Sequence, residues 1–449
     1  MTAPVPAAEV ARQVRDRLPP GGLFADQSWR VAPAPFPLAP EVVRDLESLG
    51  RVLLQFNRAV NRLYRLSVEG RQPEWVARLL DQGKPADLIA LQRHPALKHA
   101  VPRVIRPDCL LTEQGLSITE LDSVPGGIGL TAWLNETYAA AGAEVLGGPT
   151  GMHDGFAGIF GDAPRVHLTV SAEAAGYRPE MAWLAERLDP ARFAVRDTAF
   201  TGWQSGDAVY RFFELFDLPN IEAAPALWPR LLAGEIQVTP PPKPIFEEKL
   251  LFALLWNRNL RGFWRQELGE GFFQRLLKLL PYTWVVDPAP LPPHAAIPEL
   301  NLTDWQQLKT LSQRERELIL KVSGFSELAW GSRGVHLGSD LSAADWGAAV
   351  DGALGTFPRS PHVLQRFHRT RVVEAAWFDF AAGAAAPMPA RARLCPYYFV
   401  HGEGDAARAQ LGGVLATLCP ADKKIIHGMK DAVLAPCAVA ADLHPAPAR

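Results

Sequence analysis

The chain has 449 residues and a mass of 49.2 kDa, room for two or three domains at about 100–200 residues each, which excludes a minidomain held by disulfides. Its 46 Lys and Arg against 48 Asp and Glu leave a net charge of −2, which argues against a dedicated nucleic-acid binder, because phosphate contacts need surplus Lys and Arg. The 36 Gly and 40 Pro are spread along the chain, so a folded, loop-rich protein fits better than disorder.

The first stretch, Met1-Thr2-Ala3-Pro4-Val5-Pro6, has no basic start followed by an apolar core, so no signal peptide is expected. Residues 1–95 read mostly as helix. From Val42 to Tyr64 the residues Leu46, Leu49, Val52, Leu53, Phe56, Val60 and Leu63 recur at spacings of three and four, an amphipathic stripe. Further helices are expected at Trp75–Leu80 and Ala86–Leu91. Then Val104–Leu111 and Leu116–Asp122 read as paired antiparallel strands. The turn between them, Thr112-Glu113-Gln114-Gly115, puts Gly where φ > 0 is needed. A helix over Thr131–Ala141 follows. Residues 147–161 hold six glycines with Thr150, His153 and Asp154. They lack the ending of a phosphate-binding P-loop, and read either as a mobile surface loop or as a loop over a substrate site.

Strand over Arg165–Ser171, helix over Pro179–Leu188 and strand over Phe193–Asp197 form a βαβ rhythm, which predicts a parallel sheet. Asp207–Phe216 adds a strand. The run Pro240-Pro241-Pro242-Lys243-Pro244 is expected to be stiff and extended, and is the best candidate for a domain boundary. Phe246–Leu280 is helical and apolar, and its strongest cluster, Leu250–Trp256, is far short of the ~20 residues of a membrane span. Beyond a second proline-rich link at 288–298, Glu317–Val322, His362–Phe367, Val372–Phe380 and Ala392–Val400 read as strands. Asp345–Leu354 reads as a helix. The expected division is a helical region at 1–95, an α/β region with the hairpin at 96–239, and a third region at 240–449.

The four cysteines, Cys109, Cys395, Cys419 and Cys437, are widely spaced with no CxxC. Neither a zinc knuckle nor a disulfide framework follows, and reduced thiols in a cytoplasmic protein are expected. His427 and Cys437 are expected in core or loop rather than in catalysis.

Two constellations carry chemistry. Asp108 sits on the first hairpin strand, and Glu120 and Asp122, two apart on the second, share a face. Three converging carboxylates repel one another, and a hard divalent cation resolves the conflict. Arg106, two residues from Asp108, reaches the same anion from the side. A solvated strand face with Arg–Asp pairing is the competing reading. In the second constellation Lys321 ends a strand and is followed by Gly324, Gly331, Ser332, Arg333, Gly334 and Gly338. Such a lysine and the backbone N–H groups of such a loop can hold a phosphate, although an ordinary connector has the same composition. One helix later comes the strand His362–Phe367 with Gln365.

The order of lysine strand, glycine loop, helix and apolar strand resembles an ATP-grasp domain, in which a nucleotide lies between two β-layers. The Arg-x-Asp…Glu-x-Asp set precedes these elements, which is similar to the circularly permuted ATP-grasp group that includes the synthetase domain of glutathionylspermidine synthase. Glu120 follows Asp108 by twelve residues, as in that domain, while Asp122 stands where the family has Asn. The resemblance spans roughly residues 100–440 and implies an α+β, circularly permuted ATP-grasp fold with ATP and Mg²⁺ as cofactors. It implies Arg106 as a γ-phosphate contact, Asp108, Glu120 and Asp122 as magnesium ligands, and Lys249, Lys321 and the loop Gly331-Ser332-Arg333-Gly334 as nucleotide contacts. Gln365 would mark the strand whose backbone meets adenine. Arg211 would neutralise a substrate carboxylate or pair with a nearby acid. The implied activity joins a small acid or peptide to an amine through an acyl phosphate. A nucleotide- or partner-binding protein without turnover, or a small-molecule kinase, are the alternatives. No nucleic acid or membrane partner is expected.

Overall fold

The computed structural model describes residues 6–23, 29–329, 331, 333–427 and 431–440. Among them the strands form three sheets and the fold is mixed α+β. The largest sheet runs, edge to edge, through Arg30–Val31, Val433–Val439, Arg408–Pro420, Ala384–His401, Val104–Thr112 and Gly115–Asp122, with Val373–Asp379 and Phe36–Leu38 paired alongside. A four-stranded antiparallel sheet orders Val335–Leu337, Leu318–Val322, His362–Arg366 and Thr283–Val285. A four-stranded parallel sheet orders Phe193–Arg196, Val166–Val170, Ala208–Phe212 and Gln237–Thr239. No helix among the described residues is long and apolar enough to cross a membrane.

The expected hairpin forms, with Gly115 at φ +110° closing its turn. Register pairs Arg106 with Asp122 and Asp108 with Glu120, and a bulge follows Asp108. Directly opposed residues share a face, so all four side chains leave the sheet on one side. The expected parallel sheet forms as well. The amphipathic stripe becomes the helix Pro40–Val68, whose Leu46, Leu49, Val52, Phe56, Val60 and Leu63 are all buried. It lies on the large sheet, where Tyr398 Oη donates to the Leu46 carbonyl at 2.6 Å. One apolar cluster joins this helix, the large sheet and the first strands of the parallel sheet.

Residues 147–161 are not the loop expected of them, and none of them lines the cavity described below. They contain the helix Gly151–Gly158, packed on the large sheet. A Cβ on Gly155 would stand 2.1 Å from the Phe399 ring and one on Gly151 2.6 Å from the Gly412 carbonyl oxygen. The glycines therefore permit close approach of helix to sheet. The prolines at 240–244 are buried rather than exposed, and Lys243 among them donates to Asn61 Oδ1 at 2.7 Å and to the Ala100 carbonyl at 3.1 Å. The helical stretch after them is broken into Leu250–Trp256 and Arg261–Leu279, with a kink at Gly269 (φ +71°).

Candidate active site between the sheets

The antiparallel sheet has one apolar and one mixed face. Leu318, Leu320, Leu364 and Trp284 pack with Trp346 and Val350 of the helix Ala343–Thr356. The other face carries Ile319, Lys321, Val363, Gln365 and Thr283, as the register requires. That face meets the hairpin: Lys321 Nζ donates to the Thr119 carbonyl at 3.2 Å and to Gln365 Oε1 at 3.0 Å. Gln365 Nε2 in turn donates to Thr283 Oγ1 at 3.2 Å. Burial, with repulsion from Lys249, lowers the Lys321 ammonium to about 8.

Beside this junction lies a cavity of about 360 Å³. Its floor is the hairpin face. Arg106 Nη2 sits 3.1 Å from Asp108 and 3.0 Å from Asp122, and its Nη1 donates to the Gly126 carbonyl at 3.2 Å. Arg393, on the adjacent strand, holds the other oxygen of Asp108 at 3.0 Å. Burial alone would raise Asp108, but the two guanidiniums hold it below the usual carboxylate range. Burial dominates at Asp122, and with repulsion from Glu120 and Asp108 it is raised although Arg106 pulls it down. The Nε of both Arg106 and Arg393 is buried with no hydrogen-bond partner among the described residues.

Lys249 pairs with Glu120 at 2.8 Å and donates to the Ala329 carbonyl at 2.6 Å. Burial works to lower its ammonium, but Glu120 outweighs this and holds it above the ordinary lysine value. The glycine loop folds over the cavity: Gly331, at φ +63°, is part of its wall, and Arg333 pairs with Glu173 of the parallel-sheet side at 2.7 Å. Gly334 sits tight under the loop, since a Cβ there would be 2.6 Å from the Leu328 carbonyl oxygen. Ser332 lies outside the described residues.

One expectation is corrected, and of the two readings of Arg211 the structure shows the pairing with a nearby acid. Asp108, Glu120 and Asp122 do converge, but they do not form a metal group. Each is already engaged by a cation, and among the described residues no set of three or more His, Cys, Asp or Glu is placed to hold a metal ion. The donor set, paired as it is, does not fit a resident magnesium. Arg211 does not reach the cavity. It is buried, paired with Glu247 at 2.7 Å, and it donates to the backbone carbonyls of Pro240, Pro241 and Phe213.

In and behind the cavity wall stand acids that no sequence motif marks. Glu214 lines the cavity and hydrogen-bonds Glu247; burial and that neighbouring carboxylate raise it well above the usual range. Asp217 is buried, and its Oδ2 has no hydrogen-bond partner among the described residues. Glu180 is fully buried behind the cavity-lining Gly127 and Leu130: it accepts from the backbone N–H of Gly127 at 2.7 Å and of Leu130 at 2.9 Å, and burial raises it to about 7. It thereby satisfies the open end of the helix Ile128–Ala140. Only the proximity of Glu214 to Arg211 in the chain hinted at the first of these; Asp217 and Glu180 carry no sequence signal.

No protein-family model matches the chain, and neither does any curated protein. Among solved structures, a glutathione synthetase-like effector from Globodera pallida, in its apo form, is similar over 98% of this chain and 98% of its own, with a TM-score of 0.54 and 12% identity. That likeness shows a shared fold. A Methylobacillus flagellatus protein provisionally named a gamma-glutamylcysteine synthetase covers 85% of this chain and 86% of its own at 14% identity; its TM-score of 0.38 is too low to carry weight.

Proposed function

We propose that the cavity is a nucleotide-dependent ligation site and that the chain is an ATP-dependent carboxylate–amine ligase of the circularly permuted ATP-grasp type. One observation carries this reading: Arg106, Asp108, Glu120 and Asp122 from the hairpin meet Lys321 and Lys249, more than 120 residues distant, at the junction of two β-layers. The synthetase-like fold is consistent with it. The buried, unpartnered Nε donors of Arg106 and Arg393 also favour an anion.

In the proposed reaction a carboxylate oxygen of a small acid or peptide attacks the γ-phosphorus of ATP. The bond from that phosphorus to the bridging oxygen breaks, ADP leaves, and an acyl phosphate forms. An amine then attacks the acyl carbon, phosphate departs, and the amine nitrogen loses a proton to give the amide. The chain would contribute placement and charge. Arg106 and Lys321 would stabilise charge developing on the transferred group, and Arg393 would hold Asp108 in place while Arg106 turns to phosphate. Lys249 would exchange Glu120 for a phosphate oxygen. Magnesium would enter as the nucleotide's counter-ion and neutralise phosphate charge. The four cysteines are free and buried, in keeping with a cytoplasmic setting.

A second reading, nucleotide or partner binding without turnover, is favoured by the pairing of every hairpin carboxylate with a cation. One experiment separates the readings. The protein is incubated with ATP, magnesium, hydroxylamine and pooled amino acids, peptides and polyamines, and ADP and hydroxamate are measured. The ligase reading predicts both. ADP with a stable phosphorylated product and no hydroxamate would mean a kinase, and nucleotide binding without ADP would mean a binding protein.

A further inference from the structure

Residues 1–95 carry no motif, yet one turn of this region seats the antiparallel sheet. The turn follows the helix Glu74–Asp81. Gln82 donates to the Phe357 carbonyl. Gly83, at φ +75°, presses against the backbone at Arg359, where a Cβ would stand 1.9 Å from the carbonyl oxygen. Lys84 pairs with Glu248 at 2.5 Å, both side chains 1% exposed. Residues 357–361 lead into the Gln365 strand, and Glu248 precedes Lys249.

Glu248 reaches further. Its second oxygen accepts from Ser323 Oγ, which itself accepts from the Leu250 N–H at 2.9 Å, and the Lys249 N–H donates to the Ser323 carbonyl at 3.0 Å. Ser323 lies two residues past Lys321. At Gly324 a Cβ would stand 2.4 Å from the Glu247 carbonyl oxygen and 2.9 Å from the Glu248 carboxyl carbon. Phe325, at φ +48°, packs with Leu88 and Leu91 of the N-terminal region and with Leu97 just beyond it. The backbones carrying Lys249 and Lys321 are thus tied to each other through Glu248 and Ser323, and Lys84 supplies the counter-charge of that tie.

We propose that Lys84 is a positioning residue for Lys249 and Lys321, and that residues 82–84 make the N-terminal region part of the nucleotide site. The placement of the lysines stands on the contacts above; only what they bind rests on the function proposed for the cavity. A buried Glu248 without Lys84 is a lone charge, which destabilises strongly, whereas removing both charges together does not leave one.

The test therefore uses Lys84→Met and the double variant Lys84→Met/Glu248→Gln. Folding is read by thermal melting, and ATP affinity with magnesium by calorimetric titration. Acetylation rates of Lys249 and Lys321 are followed against pH by mass spectrometry in the nucleotide-free protein. Lys309, paired with Asp351 on the surface at 2.9 Å, serves as the internal reference. Loss of one charge-assisted hydrogen bond to phosphate costs about 10- to 100-fold in affinity, so the folded double variant should bind ATP about 10- to 100-fold more weakly. Its Lys249 and Lys321 labelling profiles should move relative to Lys309. A folded double variant with wild-type labelling profiles overturns the proposal. Wild-type protein that binds no ATP overturns the nucleotide reading instead, and the labelling profiles still decide the role of Lys84.

Discussion

At the scale of single residues, the site is a lattice of opposite charges in which the acids have different work. Glu120 is the most exposed of the hairpin carboxylates, with 36% of its side chain open, and its partner is Lys249. Glu120→Gln removes the charge that Lys249 must leave for phosphate, so the variant should bind ATP at least as tightly as wild type, while its denaturant midpoint falls because the mostly buried Lys249 loses its counter-charge; weaker ATP binding would give Glu120 a direct part in holding the nucleotide. Asp108 is buried between two guanidiniums, so Arg393→Met should cost about 1–3 kcal/mol by leaving a buried charge under-satisfied, read as a lower denaturant midpoint. Asp108 also has a pH signature. Its folded pKa is depressed, so the stability it confers is present above the ordinary carboxylate range and is lost as pH falls through its lowered value. Glu214 has the opposite sign. Its folded pKa is raised, so its contribution is present below the ordinary carboxylate value and is lost as pH rises toward the raised one. Glu214→Gln removes that titration, so the variant should melt above wild type at about pH 8 and level with it near about pH 4. Equal melting at both would mean that the folded pKa of Glu214 is not raised.

At the scale of elements, what is legible in the sequence is what period and turn chemistry encode. The hairpin is legible because residues alternate on both sides of a turn with Gly115 at positive φ. The strand Arg408–Pro420 is not, because its Gly412–Cys419 half is buried on both faces and a continuous small, apolar run has no alternation to read. The helix Gly151–Gly158 is misread for a related reason. Glycine lowers helix propensity, so a glycine-rich run reads as a loop, while here the missing Cβ atoms are what let the helix touch Phe399 and Gly412. Propensity and packing make opposite predictions for Gly155→Ala. Propensity alone would stabilise by about 1 kcal/mol, whereas overpacking against Phe399 should destabilise by about 1–3 kcal/mol. A lower midpoint in denaturant supports close packing, and a higher one contradicts it.

At the scale of the whole molecule, the site is assembled from segments whose proximity no local pattern encodes. Arg106, Asp108, Glu120, Asp122, Lys249 and Lys321 are identifiable from the sequence as chemistry-bearing residues, and the structure does bring them together. Arg211 is a strand arginine with the same local appearance as Arg393, yet it turns inward to Glu247 while Arg393 turns to Asp108. Only the packing of the parallel sheet against the prolines at 240–242 decides between them. The pairing of carboxylates with cations is equally invisible to spacing, which is why three convergent acids read as a metal group. The central claim is that the junction of the two β-layers holds a nucleotide, with Lys321 on its phosphates. Calorimetric titration of ATP and magnesium into wild type and Lys321→Ala tests it most directly. Saturable binding by wild type, weakened about tenfold or more in the variant as the loss of a charged hydrogen bond requires, is the predicted result. No binding by wild type, or equal affinity in both, would contradict it.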